Sequence, residues 1–223
     1  MLERFEGKFP KTLEFSLFAR ETLPDVDPRD DPDFALMAWM EREEILFRTF
    51  ERHLIADRLS KGFGSGTAVD VDDFLSFSLS VQNRRKSRVG LALENHLAHL
   101  FDTLDIRYSR GAVTERRSKP DFLFPGAEHY HNPAFEVTRL TMLGVKSTCK
   151  DRWRQILSEA NKVEQKHLLT LEPGISEPQT EEMRSHRVQL VLPRPLHDSY
   201  SFSQRAWLQD VRSFSKQLLE RQN

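Results

Sequence analysis

Two residues near the middle of the chain have the types and spacing that metal-assisted phosphodiester hydrolysis would use. Asp121 follows Pro120 at the head of a short apolar run, and Lys146 closes the segment TMLGVK. Hydrolysis of a phosphodiester needs a metal to activate water and to neutralise charge developing at phosphorus and on the leaving oxygen. Mg²⁺ suits this chemistry, being a hard, octahedral ion that takes oxygen ligands, usually one or two carboxylates plus substrate phosphate. A nearby lysine adds positive charge in the transition state and positions the attacking water. The stretch between Asp121 and Lys146 is long enough for a strand, a turn and a neighbouring strand, so both side chains can meet at one sheet edge. Taken alone, an acid followed at a distance by a lysine is a pattern that many chains show by chance.

The elements around this pair follow from periodicity. Asp31 and Pro32 are a cap and a first-turn proline for a long helix that carries Phe34, Met37, Trp39, Met40, Ile45, Leu46, Phe50 and Leu54 and ends near KGFGSG at 61–66. The acidic, proline-punctuated run LPDVDPRDDPD before it reads as a linker or an ordered arm. A second helical region is expected near VDVDDFLSFSLSV and a third from about Val89 to Leu104, where Leu93, Leu97, Leu100 and Leu104 share a face. Strands are expected at 106–109, 121–124, 141–146, 167–171 and 188–192, with EPGISEPQTEEM as the loop between the last two. A helix from about Cys149 to Val163 opens with Thr148 and Asp151 in a capping-box-like arrangement. A last helix from about Ser203 places Trp207, Leu208, Val211, Phe214 and Leu218 on one side. Helix, strands, helix, strand, strand, helix is a mixed sheet flanked by helices, an α/β layer architecture. The organisation is read as an N-terminal arm and long helix over 1–66, packed on a core over 67–223.

Composition narrows the class. The 223 residues carry a formal net charge of -1, but Val81–Pro120 holds nine basic residues against four acidic ones, a local excess of five. Such a segment reads either as a polyanion-binding face or as a solvated charged surface. Arg84, Arg85 and Arg88 open it and are candidate DNA contacts. Cys149 is the only cysteine, which excludes an intrachain disulfide. The opening MLERFEGKFPKTLEF has no long apolar run, and no window is apolar enough to span a bilayer, so a soluble, cytoplasmic protein with no membrane partner is expected.

Lys150, Asp151 and Arg152 follow closely on Lys146. Arginine and lysine match the O6 and N7 acceptors of guanine, and aspartate accepts from the cytosine amino group, so the triplet is suited to adjacent G·C pairs in a major groove. The plainer reading is a charged helix start with Asp151 as its cap. His131 is a possible metal ligand, or simply a surface histidine. No other histidine spacing points to a zinc site.

Across FLSFSLSVQNRRKSRVGLALENHL, KPDFLFPGAEHYH, LTMLGVKSTCKDRWRQILSEANKV and KHLLTLEPGIS, roughly residues 74–195, the chain resembles the EcoRII-like catalytic domains of type II restriction endonucleases, within the PD-(D/E)XK fold group. The resemblance implies a restriction-endonuclease-like mixed sheet and Mg²⁺-dependent cleavage of double-stranded DNA at a short palindromic CC…GG-type site. It implies Asp121 as the main metal-binding carboxylate and Lys146 as the catalytic lysine. Glu94 would be a further acid that holds the metal's water; it shares a helix face with Gly90, Leu97 and Phe101, and its plain alternative is a surface glutamate. The acid that the fold group places two residues before the lysine is absent, because that position is Gly144. The resemblance moves this acid to Glu159, with Glu136 a lower-ranked rival, and it adds Tyr130 near the site. Base reading falls to Lys150, Asp151 and Arg152. A palindromic site implies a two-fold homodimer, formed through Trp207 and the last helix or through the long helix at 33–58. It also implies a companion DNA methyltransferase in the cell, and Trp39 or Phe63 as a stacking side chain should central bases be flipped. The first 60 or so residues leave no room for a separate effector domain, so a stand-alone cutter is expected.

Overall fold

Ahead of the run LPDVDPRDDPD the chain forms a helix, α1 (Thr12–Glu21), whose Phe15 and Ala19 are fully buried. Phe15 is buried in a cluster with Phe5, Phe47 and Phe50, two of them distant in sequence, so no local periodicity announces the helix. The computed structural model describes residues 1–64 and 70–223, the side chains of Lys150 and Asp151 excepted. Helix α2 (Pro32–Lys61) begins as its residue types dictate: Asp31 Oδ1 accepts from the amides of Asp33 and Phe34, each at 3.1 Å, and Pro32 takes the first helical position. It ends where Gly62 adopts φ +72°, a left-handed conformation suited to glycine.

The two helices expected between Val71 and Leu104 are one continuous helix, α3 (Val71–Thr103). Its middle, QNRRKSR, contains no breaker, and a single internal glycine at Gly90 costs only about 1 kcal/mol. The chain divides into two compact units, Met1–Asp25 with Ala38–His96 and Val26–Met37 with Leu97–Asn223. The boundary expected at residue 66 lies outside the described residues.

The second unit is built on a five-stranded sheet. Its strands β1 (Ser109–Arg110), β2 (Phe122–Phe124), β3 (Thr141–Lys146), β4 (Lys166–Thr170) and β5 (Val188–Val191) lie side by side in chain order. β1, β2 and β3 pair antiparallel, whereas β3, β4 and β5 pair parallel. The sheet is therefore mixed, as expected, and each strand falls within a few residues of its expected place. Short helix α4 (Ala127–His131) follows β2, α5 (Glu177–Ser185) joins β4 to β5, and α6 (Phe202–Arg205) and α7 (Val211–Gln222) close the chain.

Alternation along the strands separates two cores. Phe122 and Phe124 point to one face, where Phe101 meets them edge-on at 5.3 and 5.2 Å and Phe214 of α7 closes the group. Leu123, Met142, Leu168 and Leu190 point to the other, under Trp153, Ile156, Ala160 and Val163.

Three helical expectations need correction. The loop EPGISEPQTEEM contains most of α5, with Pro178 in its first turn and Met183 buried. The last helix begins at Val211, capped by Asp210, whose Oδ1 accepts from Ser213 N at 2.7 Å; Trp207 and Leu208 precede it and pack against the inner core. The segment after Lys146 is a 3₁₀ helix over Lys150–Ser158 and stops short of Val163. Cys149 stands at its N-cap with no side-chain cap bond. Glu159 is extended and Ala160 has φ +46°, because tertiary partners claim the backbone groups that another helical turn would use. No helix among the described residues is long and apolar enough to cross a membrane.

Gly144 records how closely this 3₁₀ helix lies on the sheet. A Cβ there would stand 2.5 Å from Ile156 Cγ2, a separation real Cβ atoms do not show. Gly144→Ala should therefore destabilise the protein by about 1–3 kcal/mol, the usual scale of overpacking. Combining it with Ile156→Ala, which removes that methyl, should cost less than the sum of the two single changes in denaturant melts. Strict additivity would show that the contact is not the constraint.

Candidate active site

Asp121 leaves the sheet just before β2, opposite Gly144 on β3, and its carboxylate turns back over β3. Oδ2 accepts from Val145 N at 2.6 Å and from Lys146 Nζ at 2.9 Å. The pair is partly open, with side-chain exposures of 19% for Asp121 and 14% for Lys146. The sheet register thus brings together the two residues that the sequence marks first. Lys146 is level with Thr170 at the C-terminal ends of the parallel strands β3 and β4, the edge where open α/β sheets receive ligands.

Glu159 comes to the same place from the end of the 3₁₀ helix. Its Oε2 is buried and has no hydrogen-bond partner among the described residues. Burial, and then the negative charge of Asp121, push its carboxyl up to about 7. Glu159 therefore brings a buried carboxylate oxygen without a hydrogen-bond partner beside Asp121, an arrangement in which a bound cation would favour the ionised form. Among the described residues no group of three or more His, Cys, Asp or Glu side chains is disposed to hold a metal. Two carboxylates nevertheless suit Mg²⁺, which leaves its remaining positions to water and phosphate.

The segment carrying Glu159 is fastened on its amide side. Ala160 N donates to Thr114 Oγ1 at 3.3 Å, Asn161 N to Glu115 Oε2 at 3.2 Å and Lys162 N to the Tyr130 hydroxyl oxygen at 3.3 Å. The Tyr130 hydroxyl itself donates to the Glu115 carboxylate at 2.6–2.7 Å. Burial and then Glu115 push Tyr130 up to about 12, so it stays a hydroxyl. Tyr130 is 1% exposed and its hydroxyl is engaged in this strap. Glu115 and Lys162 complete the strap, and neither stands out in the sequence. Their link to Tyr130 joins residues far apart in the chain, and no spacing signals it.

Glu136 is exposed and bonded to the Thr138 hydroxyl, and exposed His131 bonds the Val113 carbonyl at 3.1 Å. Glu94 is half-buried on the part of α3 that belongs to the first unit. Arg152 is exposed near the start of the 3₁₀ helix, whereas the side chains of Lys150 and Asp151 lie outside the described residues.

The three arginines of the basic segment differ. Arg88 is buried: Nη2 donates to Glu43 Oε1 at 2.8 Å, and its guanidinium lies 4.1 Å from the Phe15 ring and 4.6 Å from that of Phe47. Exposed Arg85 bonds Glu51 at 2.7 Å, and half-buried Arg84 lies 4.3 Å over Phe9. Trp39 is 2% exposed beside His96, and Phe63 packs on Phe74 under Arg58, so neither ring is presented freely. Arg116, Arg117 and Lys119 precede Asp121 in the chain, and both arginines are exposed and have positive φ.

The profile of the family described as EcoRII C terminal matches residues 47–215. The type II restriction enzyme EcoRII of Escherichia coli is 47% identical over 189 residues, which make up 84% of this chain and 46% of that protein. The chain thus spans about half the length of this curated relative. Metal-depleted Ecl18kI in complex with uncleaved, modified DNA superposes with a TM-score of 0.79 at 17% identity, covering 98% of this chain and 81% of that one. The complex of restriction endonuclease PspGI with substrate DNA gives 0.76 at 16% identity, covering 96% and 93%. At such identities these two likenesses concern the fold, and they agree with the mixed sheet and its flanking helices. By the extent of the profile match and the identity to its relative, the chain belongs to the EcoRII C-terminal family and has the restriction-endonuclease-like fold.

Proposed function

We propose that this chain is the catalytic part of a type II restriction endonuclease, hydrolysing double-stranded DNA at a short palindromic CC…GG-type site with Mg²⁺. The observation that carries the reading is the convergence of Asp121, Lys146 and the orphaned oxygen of Glu159 at the C-terminal edge of β3. The family membership supports it, as do the DNA complexes of the fold's neighbours Ecl18kI and PspGI.

Asp121 and Glu159 would hold Mg²⁺. Bound there, the ion would supply charge neutralisation and a more acidic water. Lys146, kept in place by Asp121, presents its ammonium to the scissile phosphate and orients the attacking water. Tyr130 holds the backbone beside Glu159. Lys150, Asp151 and Arg152 read the G·C pairs, and Arg84 and Arg85 contact phosphates; the enclosed guanidinium of Arg88 is not among these contacts. A palindromic site calls for a homodimer. In the cell, a cytoplasmic enzyme of this kind needs a companion methyltransferase to protect host DNA.

Incubating the protein with plasmid and Mg²⁺ and sequencing the fragment ends tests the reading directly. Discrete ends at CC…GG sites support it, whereas nicking without linear product, or no cleavage of unmethylated DNA, overturns it. Asp121→Ala and Lys146→Ala should each lower the cleavage rate by on the order of 10²–10³-fold or more. Metal-free binding to the same duplex should change little in either variant.

Glu159 also has a consequence for stability. A carboxyl whose folded-state pKa lies above its ordinary value destabilises the fold once it ionises, so the cost is absent in acid and grows as pH rises from the ordinary carboxylate range to about 7, where it levels off. Without metal at pH 8, Glu159→Gln should melt higher than wild type by about 2–4 °C, and added Mg²⁺ should narrow or reverse that difference. A lower melting point without metal would mean that Glu159 is already paired. In a binding series over single-base variants of the site, Arg152→Ala should lose about 1–3 kcal/mol of discrimination at one G·C pair. Uniform weakening across the series would make Arg152 a phosphate contact instead.

A further inference from the structure

We propose that Lys166 is a positioning residue of this site, whose buried ammonium holds the backbone at Glu159 and so sets where that carboxylate stands. The proposal rests on the role given to Glu159 above. Lys166 opens β4 and is only 6% exposed, although lysine at a strand end ordinarily extends its head into water. Its side chain shares a face with Leu168, the face covered by the 3₁₀ helix, so the ammonium is directed to the end of that helix. Nζ donates to the carbonyl oxygens of Glu159 at 2.5 Å and Ala160 at 2.7 Å.

These are carbonyls that a helix end leaves without intrahelical partners. The 3₁₀ helix stops at Ser158, and Ala160 has left-handed φ. The Ala160 carbonyl has a second donor, Val163 N at 2.9 Å, whereas Lys166 is the donor that the described residues provide to the carbonyl of Glu159. The amide side of the same segment is tied to Thr114, Glu115 and Tyr130. Lys166 supplies the opposing hold from the sheet, and Glu159 is clamped between the two. A neutral donor would satisfy the carbonyls, but the ammonium also brings a positive charge behind a site with two acids.

A double-mutant cycle separates positioning from simple core packing. Mn²⁺ binding would be followed by paramagnetic resonance on the full chain, in wild type, Lys166→Met, Glu159→Gln and the double variant. Metal-free binding to a CC…GG duplex serves as the control for folding. Lys166→Met should weaken Mn²⁺ binding by about tenfold, the lower end of what loss of an outer-shell partner does. Duplex affinity without metal should stay within about threefold, and the double variant should bind Mn²⁺ no more weakly than Glu159→Gln alone. Wild-type Mn²⁺ affinity in Lys166→Met, or losses that multiply in the double variant, would overturn the proposal. Should Lys166→Met fail to fold, Lys166→Gln, which keeps one amide donor, enters the same cycle with a smaller loss expected and the same results overturning it. A wild-type chain that binds no Mn²⁺, or Glu159→Gln binding it as wild type does, overturns the reading of Glu159 itself and the proposal with it.

Discussion

Ile156 lies so close to the backbone of β3 that residue 144 has no room for a Cβ, and the geometry of the site depends on that contact. It presses the 3₁₀ helix onto the inner face of the sheet, beside Leu168, and this brings the helix end to Asp121. An acid at position 144 would have to displace the helix. With that position closed, the carboxylate that stands near Asp121 comes from another element, on Glu159. The proposed chemistry would require a pair of oxygen ligands near a lysine, and would not require both on one strand.

Holding Glu159 there is unfavourable by itself. Its carboxylate is partly buried near Asp121, with one oxygen unpartnered, and its neighbour Ala160 is in a backbone conformation that alanine rarely adopts. The surrounding bonds over-determine the segment: Thr114, Glu115 and Tyr130 hold amides on one side, and Lys166 holds carbonyls on the other. Backbone strain and a perturbed carboxyl maintained by such a frame are characteristic of functional sites. The same frame explains why Tyr130, at 1% exposure, can matter to the site without reaching into it.

Charge counted along the chain and charge presented by the fold are different quantities. The basic excess of residues 81–120 includes Arg88, which is enclosed by Glu43 and two phenylalanine rings and adds nothing to the surface field. Burial also keeps its neighbour His96 below its ordinary pKa, so the neutral ring accompanies the Glu43–Arg88 pair. Arg116 and Arg117, by contrast, remain exposed. A linear sum treats these residues alike, because burial is decided by partners that the sum does not contain.

What the sequence determined by itself is what short-range rules control. Asp31 with Pro32 announced the start of α2, and alternation and apolar runs located the strands. Asp121 and Lys146 stood out because a strand head and a strand end can be read from local pattern, and the sheet register joined them as their spacing allowed. The residues QNRRKSR, between the two helices expected separately, contain no helix breaker, so α3 runs through them. Local rules could not show that the helix after Lys146 would be 3₁₀ and stop at Ser158, because Thr114 and Lys166 take the backbone groups another turn would have used. Nor could they show that Lys166 turns inward, that Tyr130 bonds Glu115, or that Arg88 is buried. Each of these depends on contacts between residues distant in sequence, and the balance of burial and hydrogen bonding that decides them exists only once the tertiary fold has formed.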